Sequence, residues 1–285
     1  MKIIVLGSTG MIGHVIYTYL KELNRYEVIG VSKSRSIFTD VKIDIELNLS
    51  KIKSLIKWHK PDVIINCIGL LIKEAETYPE RAIFVNSYFP HYLASILKNT
   101  NTYLIHLSTN CVFEGIQPRY YEDSIKDGSS IYAKTKGLGE IVNSKDLTIR
   151  TTTIGPEVAE GGSGLLEWFK GQFCAISGYS NMLWNGISTD LLAKQIVLLI
   201  NIKPRGLIHI SNSRTISKFA LLEILNKVFN KELTIKKDTK VNQTKILCPN
   251  SSYLIDERYT YQRIVEDMVK WIKKHNNIYK GKYGI

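Results

Sequence analysis

The chain opens on four uninterrupted apolar residues, Ile3-Ile4-Val5-Leu6, and then changes period. From Met11 to Leu23 the apolar positions Ile12, Val15, Ile16, Tyr19, Leu20 and Leu23 recur at helical spacing. A short β-branched run without polar alternation predicts a parallel strand covered on both faces, and the switch to a 3.6-residue period predicts a helix after it. The same alternation continues. Strands are expected at 26–31, 41–45, 62–66, 102–107 and 147–150, and helices at 11–23, 49–58, 79–98 and 129–143. Pro79 starts the third helix and Pro90 lies within it, which predicts a kink near Ser87. Strands alternating with helices imply an α/β fold of the Rossmann type, a doubly wound parallel sheet with right-handed crossovers.

After Gly155 the rhythm breaks. Residues 155–164 (GPEVAEGGSG) form a glycine-rich loop, followed by helices at 165–173, 191–200, 217–230 and 259–275 and strands at 206–210 and 233–236. This half is expected to be a smaller lobe covering the mouth of the first. The division is read as residues 1–154 mainly for a dinucleotide and 155–285 mainly for substrate, interleaved in one compact unit.

The first candidate chemistry lies in the turn between the opening strand and helix. Gly7, Gly10 and Gly13 permit a tight turn and close approach of backbone to a pyrophosphate, and a helix N-terminus offers free N–H groups to it. Strand before and helix after is the context that gives such a triplet meaning. The second strand is followed by SKSRS (32–36), without the acid that binds ribose hydroxyls in NAD-specific sheets. Lys33 and Arg35 offer charge for a 2′-phosphate instead, so NADPH is expected, with NADH as the lesser alternative. Asp44, ending the third strand, is placed either to accept from an adenine amino group or to cap the following turn.

A second constellation lies further on. Tyr132 and Lys136 stand four apart in a predicted helix, on one face. An ammonium beside a phenol favours the phenolate and is expected to lower its pKa, which suits a proton donor to a carbonyl. Ser108 and Thr109, ending a strand, are expected to hydrogen-bond the same oxygen.

Composition narrows the partners. The net charge is +12 over 285 residues and the pI about 9.3, which favours anionic ligands. The basic residues are scattered, without a nucleic-acid motif, so nucleic acid is not expected as a partner. Cys67, Cys111, Cys174 and Cys248 have neither metal-ligand nor redox spacing, which fits reduced thiols and a cytoplasmic location. A strand at once and interrupting glycines predict no leader peptide. The longest apolar run, 191–200, holds Lys194 and Gln195, and no membrane association is expected.

The blocks GSTGMIG (7–13), INCIG (65–69), FVNSYFPHYLA (84–94), HLSTNCVFEG (106–115), YAKTKGLGE (132–140) and LTIRTTTIGPE (147–157), with GLIHISNSRTISKFALLEIL (206–225), resemble the extended short-chain dehydrogenase/reductases. Within them they are most similar to the dTDP-4-dehydrorhamnose reductase branch. The resemblance implies reduction of a 4-keto-6-deoxy nucleotide sugar, with a nucleotide-diphosphate sugar as partner and a homodimer left open. It implies Thr109, Tyr132 and Lys136 as the catalytic set: a carbonyl polariser, a proton donor, and a cation that holds the nicotinamide ribose and tunes the donor. Together with the residue readings above, which gave Lys33, Arg35 and, as one of two alternatives, Asp44, it yields a cofactor lining of Gly7, Thr9, Gly10, Met11, Ile12, Gly13, Ser32, Lys33, Arg35, Asp44, Ile45, Cys67, Ile68, Gly69, Asn86, Ser108, Thr153 and Ile154. Lys73, Asn110, Cys111, Glu157 and Trp184 are the candidates for substrate contact.

Two departures from the branch stand out. Asn110 and Cys111 replace an acid and an aromatic, and WNGIST (184–189) differs from the usual sugar loop, which leaves two readings: recognition of a different hexose, such as an N-acetylated 2-amino sugar, or Trp184 as a core or lid aromatic. Some reductases of this neighbourhood also epimerise C3, for which Lys73, Glu74, Cys111 and Glu167 are candidate bases. The regulatory β subunit of methionine adenosyltransferase shares these motifs, which gives a non-catalytic alternative.

Overall fold

A computed structural model describes residues 1–249, 255 and 257–284. The chain forms two compact units. The first comprises residues 1–113, 125–150 and 193–208, and the second residues 114–124, 151–192 and 209–285.

The first unit is built on a seven-stranded sheet. Its strands are β1 (Lys2–Leu6), β2 (Glu27–Ser32), β3 (Val41–Lys42), β4 (Val63–Asn66), β5 (Tyr103–Thr109), β6 (Leu147–Thr151) and the strand Gly206–His209. In space the order runs Gly206–His209, β6, β5, β4, β1, β2, β3. β1 pairs in parallel with β2 and β4, and β4 with β5. The order reverses beside β1, where open α/β sheets place their ligand crevice. Ile3, Ile4, Val5, Ile64 and Ile65 are fully buried, as their unbroken apolar runs require.

The helices of this unit are α1 (Met11–Glu22), α2 (Leu49–His59), α3 (Ile72–Thr77), α4 (Pro79–Ala82), α5 (Phe89–Leu97) and α6 (Ile131–Leu138). Two expectations are corrected here. The helix read across 79–98 is α4 and α5 joined by a π-helical stretch, Ile83–Tyr88. There the Phe89 amide reaches back five residues to Phe84 O, so the chain approaches Pro90 through a widened turn. The helix read across 129–143 stops at Leu138. Gly137 and Gly139 are weak helix formers, and a Cβ at Gly139 would lie 1.8 Å from Asn86 O, so the chain turns against the π-helical stretch instead.

Within the second unit Ala175–Tyr179 pairs in parallel with Thr234–Asp238. Helix Lys218–Val228, capped by Ser217, packs on both strands, and helix Tyr261–Lys274, capped by Thr260, packs on that helix; the unit also holds helix Leu165–Lys170. Of the helix Thr189–Ile202, residues 189–192 belong to the second unit and 193–202 to the first. Strand Ala175–Tyr179 went unread in the sequence because its buried positions are only Ile176 and Gly178.

Candidate functional site

The site grows from the carboxyl ends of β1, β4 and β5. Gly7 leaves β1 at φ +77°, a conformation open to glycine, and a Cβ there would lie 3.0 Å from the backbone of Cys67 and Ile68. The glycine turn and the loop after β4 therefore touch. Gly13 lets the first turn of α1 close on the loop, since a Cβ there would lie 2.1 Å from Gly7 O. α1 starts at Met11 with no side-chain cap on its N-terminal amides. The Ser8 hydroxyl is buried without a partner in the same turn. A backbone cradle, an uncapped twelve-residue helix and an orphaned donor fit an anionic diphosphate.

The loop after β4 leads from this turn to the second constellation. A Cβ at Gly69 would lie 3.4 Å from Asn86 Oδ1 and 3.9 Å from Lys136 Nζ. Tyr132 and Lys136 lie on α6, whose N-terminus is capped by Ser130 Oγ accepting from Ala133 N at 3.1 Å. Both side chains are buried, at 9% and 5% exposure. Thr109 Oγ accepts from Cys111 N at 3.1 Å and hydrogen-bonds the Tyr132 phenol. The structure thus brings phenol, hydroxyl and ammonium into one region of the first unit, beside the glycine turn.

Its electrostatics correct the expected tuning. Burial, reinforced by Cys111, pushes the Tyr132 phenol above its ordinary value, and only the Thr109 hydrogen bond acts downward. Lys136 donates to Leu107 O at 2.7 Å, and burial lowers its pKa to about 8. Glu140 and Cys67 act the other way on it. Cys67 itself is pushed up to about 12, chiefly by burial, with Lys136 opposing.

Ser108 and Thr109 do not converge on one oxygen. Neighbours on a strand face opposite ways, and Ser108 Oγ donates to Glu140 Oε1 at 2.8 Å. Asn86 is fully buried and spends its amide on Leu70 N (2.8 Å), Leu70 O (3.2 Å) and Thr135 Oγ1 (3.3 Å), fixing α6 against the π-helical stretch. Ser32 Oγ donates to Ser34 O at 2.5 Å, shaping the loop in which Lys33 and Arg35 are exposed. Asp44 Oδ1 accepts from Glu46 N at 3.0 Å, which is the turn-capping alternative. Thr9, Met11, Ile12, Cys67 and Ile68 are half-buried, Gly10 and Gly69 exposed, and Ile45 is buried. Asn110 is buried, Cys111 half-buried and Lys73 exposed on α3.

Four expected contact residues belong to the second unit. Thr153 and Ile154 pair with Ile187 and Ser188. Glu157 Oε1 accepts from Gly164 N at 2.7 Å within the glycine-rich loop. Trp184 is 4% exposed, donates to Thr152 Oγ1 at 2.9 Å and carries Lys218 Nζ 4.7 Å over its ring.

Residues outside the expected set complete the first-unit site. Glu140 is buried against Arg150, with Nε–Oε1 at 2.6 Å and Nη2–Oε2 at 2.7 Å, and takes Lys126 at 3.2 Å. It anchors the chain four residues past Lys136. Fully buried His106 accepts from Asn66 Nδ2 at 3.1 Å through Nδ1, because Asn66 Oδ1 already accepts from Ile68 N. Its Nε2 has no partner. Neither residue carries a local sequence signal, since both act through partners distant in the chain.

Residues 1–154 match the family described as the RmlD substrate binding domain. Methionine adenosyltransferase 2 subunit beta of Xenopus laevis is 34% identical over 142 residues, 49% of this chain and 41% of that protein. The chain therefore spans well under two thirds of that relative's length. The spore coat polysaccharide biosynthesis protein SpsK of Bacillus subtilis is 28% identical over 225 residues, 74% of each chain. A crystal structure of dTDP-4-dehydrorhamnose reductase from Bacillus anthracis in complex with NADP superposes with TM-score 0.79 at 18% identity, covering 95% of this chain and 99% of that one. That likeness shows a shared fold, and over more than half its length the chain matches one family: it belongs to the RmlD substrate binding domain family of extended short-chain dehydrogenase/reductases.

Proposed function

We propose that this chain reduces the C4 keto group of a 4-keto-6-deoxy nucleotide sugar, of the dTDP-4-dehydrorhamnose or UDP-2-acetamido-2,6-dideoxy-hexulose type, with NADPH. The observation that carries the reading is the buried Thr109–Tyr132 hydrogen bond on the same unit as the glycine cradle, with Lys136 one helical turn away. Family membership and the NADP complex of a structural neighbour support the reaction class and the cofactor.

When bound, the reduced dinucleotide supplies a hydride. Gly7, Gly10, Gly13 and the α1 amides hold its diphosphate, with Ser8 as an additional donor. Lys33 and Arg35 meet a 2′-phosphate. As negative charge grows on the carbonyl oxygen, Thr109 turns its one hydroxyl proton from the phenol to that oxygen, and Tyr132 delivers its own proton there. Lys136, held on Leu107 O, keeps a positive charge beside the loop after β4. Glu157 and Trp184 are proposed for the sugar side.

Cys111 gives the reading a second step. Its thiol lies close enough to the Tyr132 phenol to raise that group's pKa. Of the candidate bases Cys111 is proposed to take the C3 proton as a thiolate, solvent returning one to the opposite face, so that C3 epimerisation accompanies reduction. Oxidation of NADPH on adding the ketosugar tests the reduction, and Tyr132→Phe should slow it by roughly 10²–10⁴-fold while cofactor still binds. Incubation of the ketosugar in D₂O without NADPH tests the epimerisation, and an unlabelled C3 would remove it. The N-terminal likeness to methionine adenosyltransferase β subunits favours one other reading, a cofactor-binding regulatory subunit. NADPH binding with no turnover of any 4-keto nucleotide sugar would establish that alternative.

A further inference from the structure

At the end of the first unit's sheet opposite the glycine turn, the loops that enter β5, β6 and the strand Gly206–His209 line an open cavity of about 370 Å³, bounded by Asn101, Tyr103, Ser144, Lys145, Lys203 and Arg205. Ligand sites begin at roughly 300 Å³. The walls are tied together. Gly206 N donates to Asp146 O at 2.8 Å, and Leu104 N donates to Asp146 Oδ1 at 3.2 Å.

The charges divide into a built-in set and a free set. Lys145 is built in, donating to Leu97 O at 2.8 Å and Thr102 O at 2.6 Å, where it satisfies the last carbonyl of α5. Asp146 is buried, and its carboxylate is spent on Leu104 N, Asn143 Nδ2 and Lys145. Lys203 and Arg205 make no ion pair among the described residues. They flank Pro204, whose carbonyl accepts from the Tyr103 hydroxyl. Lys203 is held at φ +51° with its amide on Leu199 O at 2.7 Å. Two cations thus flank a pinned proline beside one cavity, whose lining among the described residues holds no carboxylate. A guanidinium fork with a neighbouring ammonium matches the oxygens of adjacent phosphates.

We propose that this cavity binds a small polyphosphate, either inorganic pyrophosphate or the diphosphate of a free nucleotide, at a site separate from the proposed cofactor cradle. The inference rests on the first unit alone and is independent of the proposed reductase activity.

Calorimetric titration of the full chain with pyrophosphate tests it, alongside the double variants K203N/R205Q and K236Q/K237Q. Asn tolerates the positive φ of residue 203, and both replaced side chains are exposed, so the fold is kept; circular dichroism checks this. The expected result is saturable binding, weakened at least tenfold in K203N/R205Q and unchanged in K236Q/K237Q, with NADPH affinity equal in all three proteins. Absence of saturable binding, equal weakening by both double variants, or retention in K203N/R205Q would overturn the proposal, the last by locating the pyrophosphate in the glycine turn. Orthophosphate binding as tightly as pyrophosphate would overturn the polyphosphate assignment. Thymidine or uridine diphosphate binding that is tighter than pyrophosphate and is weakened at least tenfold in K203N/R205Q would support a nucleotide occupant, and nucleotide binding unchanged in that variant an inorganic one, the nucleotide then lying in the proposed substrate site.

Discussion

Breaking the Glu140–Arg150 pair should cost more than any exposed substitution in the protein and should damage the candidate site from behind. The two side chains are 1% and 3% exposed, joined by two short hydrogen bonds, and Glu140 also holds Ser108 of β5. Removing one member of such a pair leaves a desolvated charge, at a cost of about 3–5 kcal/mol. That is a large part of the roughly 5–15 kcal/mol that keeps a domain folded. Glu140→Leu strands the guanidinium against the Phe113 ring 5.1 Å away, which does not neutralise it. At roughly 2–4 °C per kcal/mol, the melting temperature should fall by roughly 6–20 °C. The double variant Glu140→Leu/Arg150→Met removes both charges and should recover most of that loss, since buried pairs are often replaceable by apolar groups. Thermal and urea unfolding followed by circular dichroism measure both. A single-variant cost below about 1 kcal/mol, or a double variant as unstable as the summed singles, would refute the view that the pair acts as a unit.

Other expectations concern the site directly. Tyr132→Phe should lower turnover by roughly 10²–10⁴-fold, the range of a general acid, with NADPH affinity retained in a fluorescence titration. Lys136, depressed to about 8 by burial, loses its proton from about pH 8 upward in the folded chain, while the unfolded chain holds it to its ordinary value near 10.5. The unfolded state therefore binds more protons across that window, so stability should rise with pH there, and Lys136→Met should flatten the rise in urea titrations. Activity that needs the ammonium should fall through the same window, and Glu140→Gln should move the fall to lower pH, because Glu140 raises this pKa. Gly13→Ala places a methyl 2.1 Å from Gly7 O and should abolish dinucleotide binding in the same titration. Replacing Lys33 and Arg35 by Ser should reduce the preference for NADPH over NADH in kcat/KM.

The sequence was most legible where function is local in the chain. The glycine turn and the Tyr132–Lys136 spacing depend on neighbours within a few residues, and the structure places both as their patterns require. Legibility ended where a side chain's duty is set across the chain. Asn86 falls in a block that resembles a cofactor-contacting segment, yet its amide is consumed by Leu70 and Thr135, sixteen and forty-nine residues away. Ser108 adjoins Thr109, but strand alternation sends it to Glu140. The early end of α6 shows the same limit: the Asn86 carbonyl that helps to stop it cannot be read from residues 129–143.

The phenol illustrates how one pair of residues can be located correctly and its electrostatics still misread. Spacing alone puts a cation near Tyr132, and a cation lowers a phenol's pKa. Burial acts on the same group in the opposite sense, and Lys136 directs its ammonium to Leu107 O, so burial prevails and the pKa rises. For the proposed reduction this is the useful direction. A carbonyl gaining hydride needs a proton donor, and a phenol whose pKa lies above its ordinary value stays protonated at neutral pH. Its readiness to give the proton then depends on the acceptor: an oxygen that becomes anionic only during hydride transfer supplies the driving force when it is needed. Thr109, bonded to the same phenol, is the one neighbour that favours its ionised form, so Thr109→Val should raise the Tyr132 pKa further and slow proton delivery. A solvent isotope effect on kcat that grows in Thr109→Val would show that transfer from Tyr132 has become rate-limiting, and an unchanged effect with unchanged kcat would remove Thr109 from the reaction.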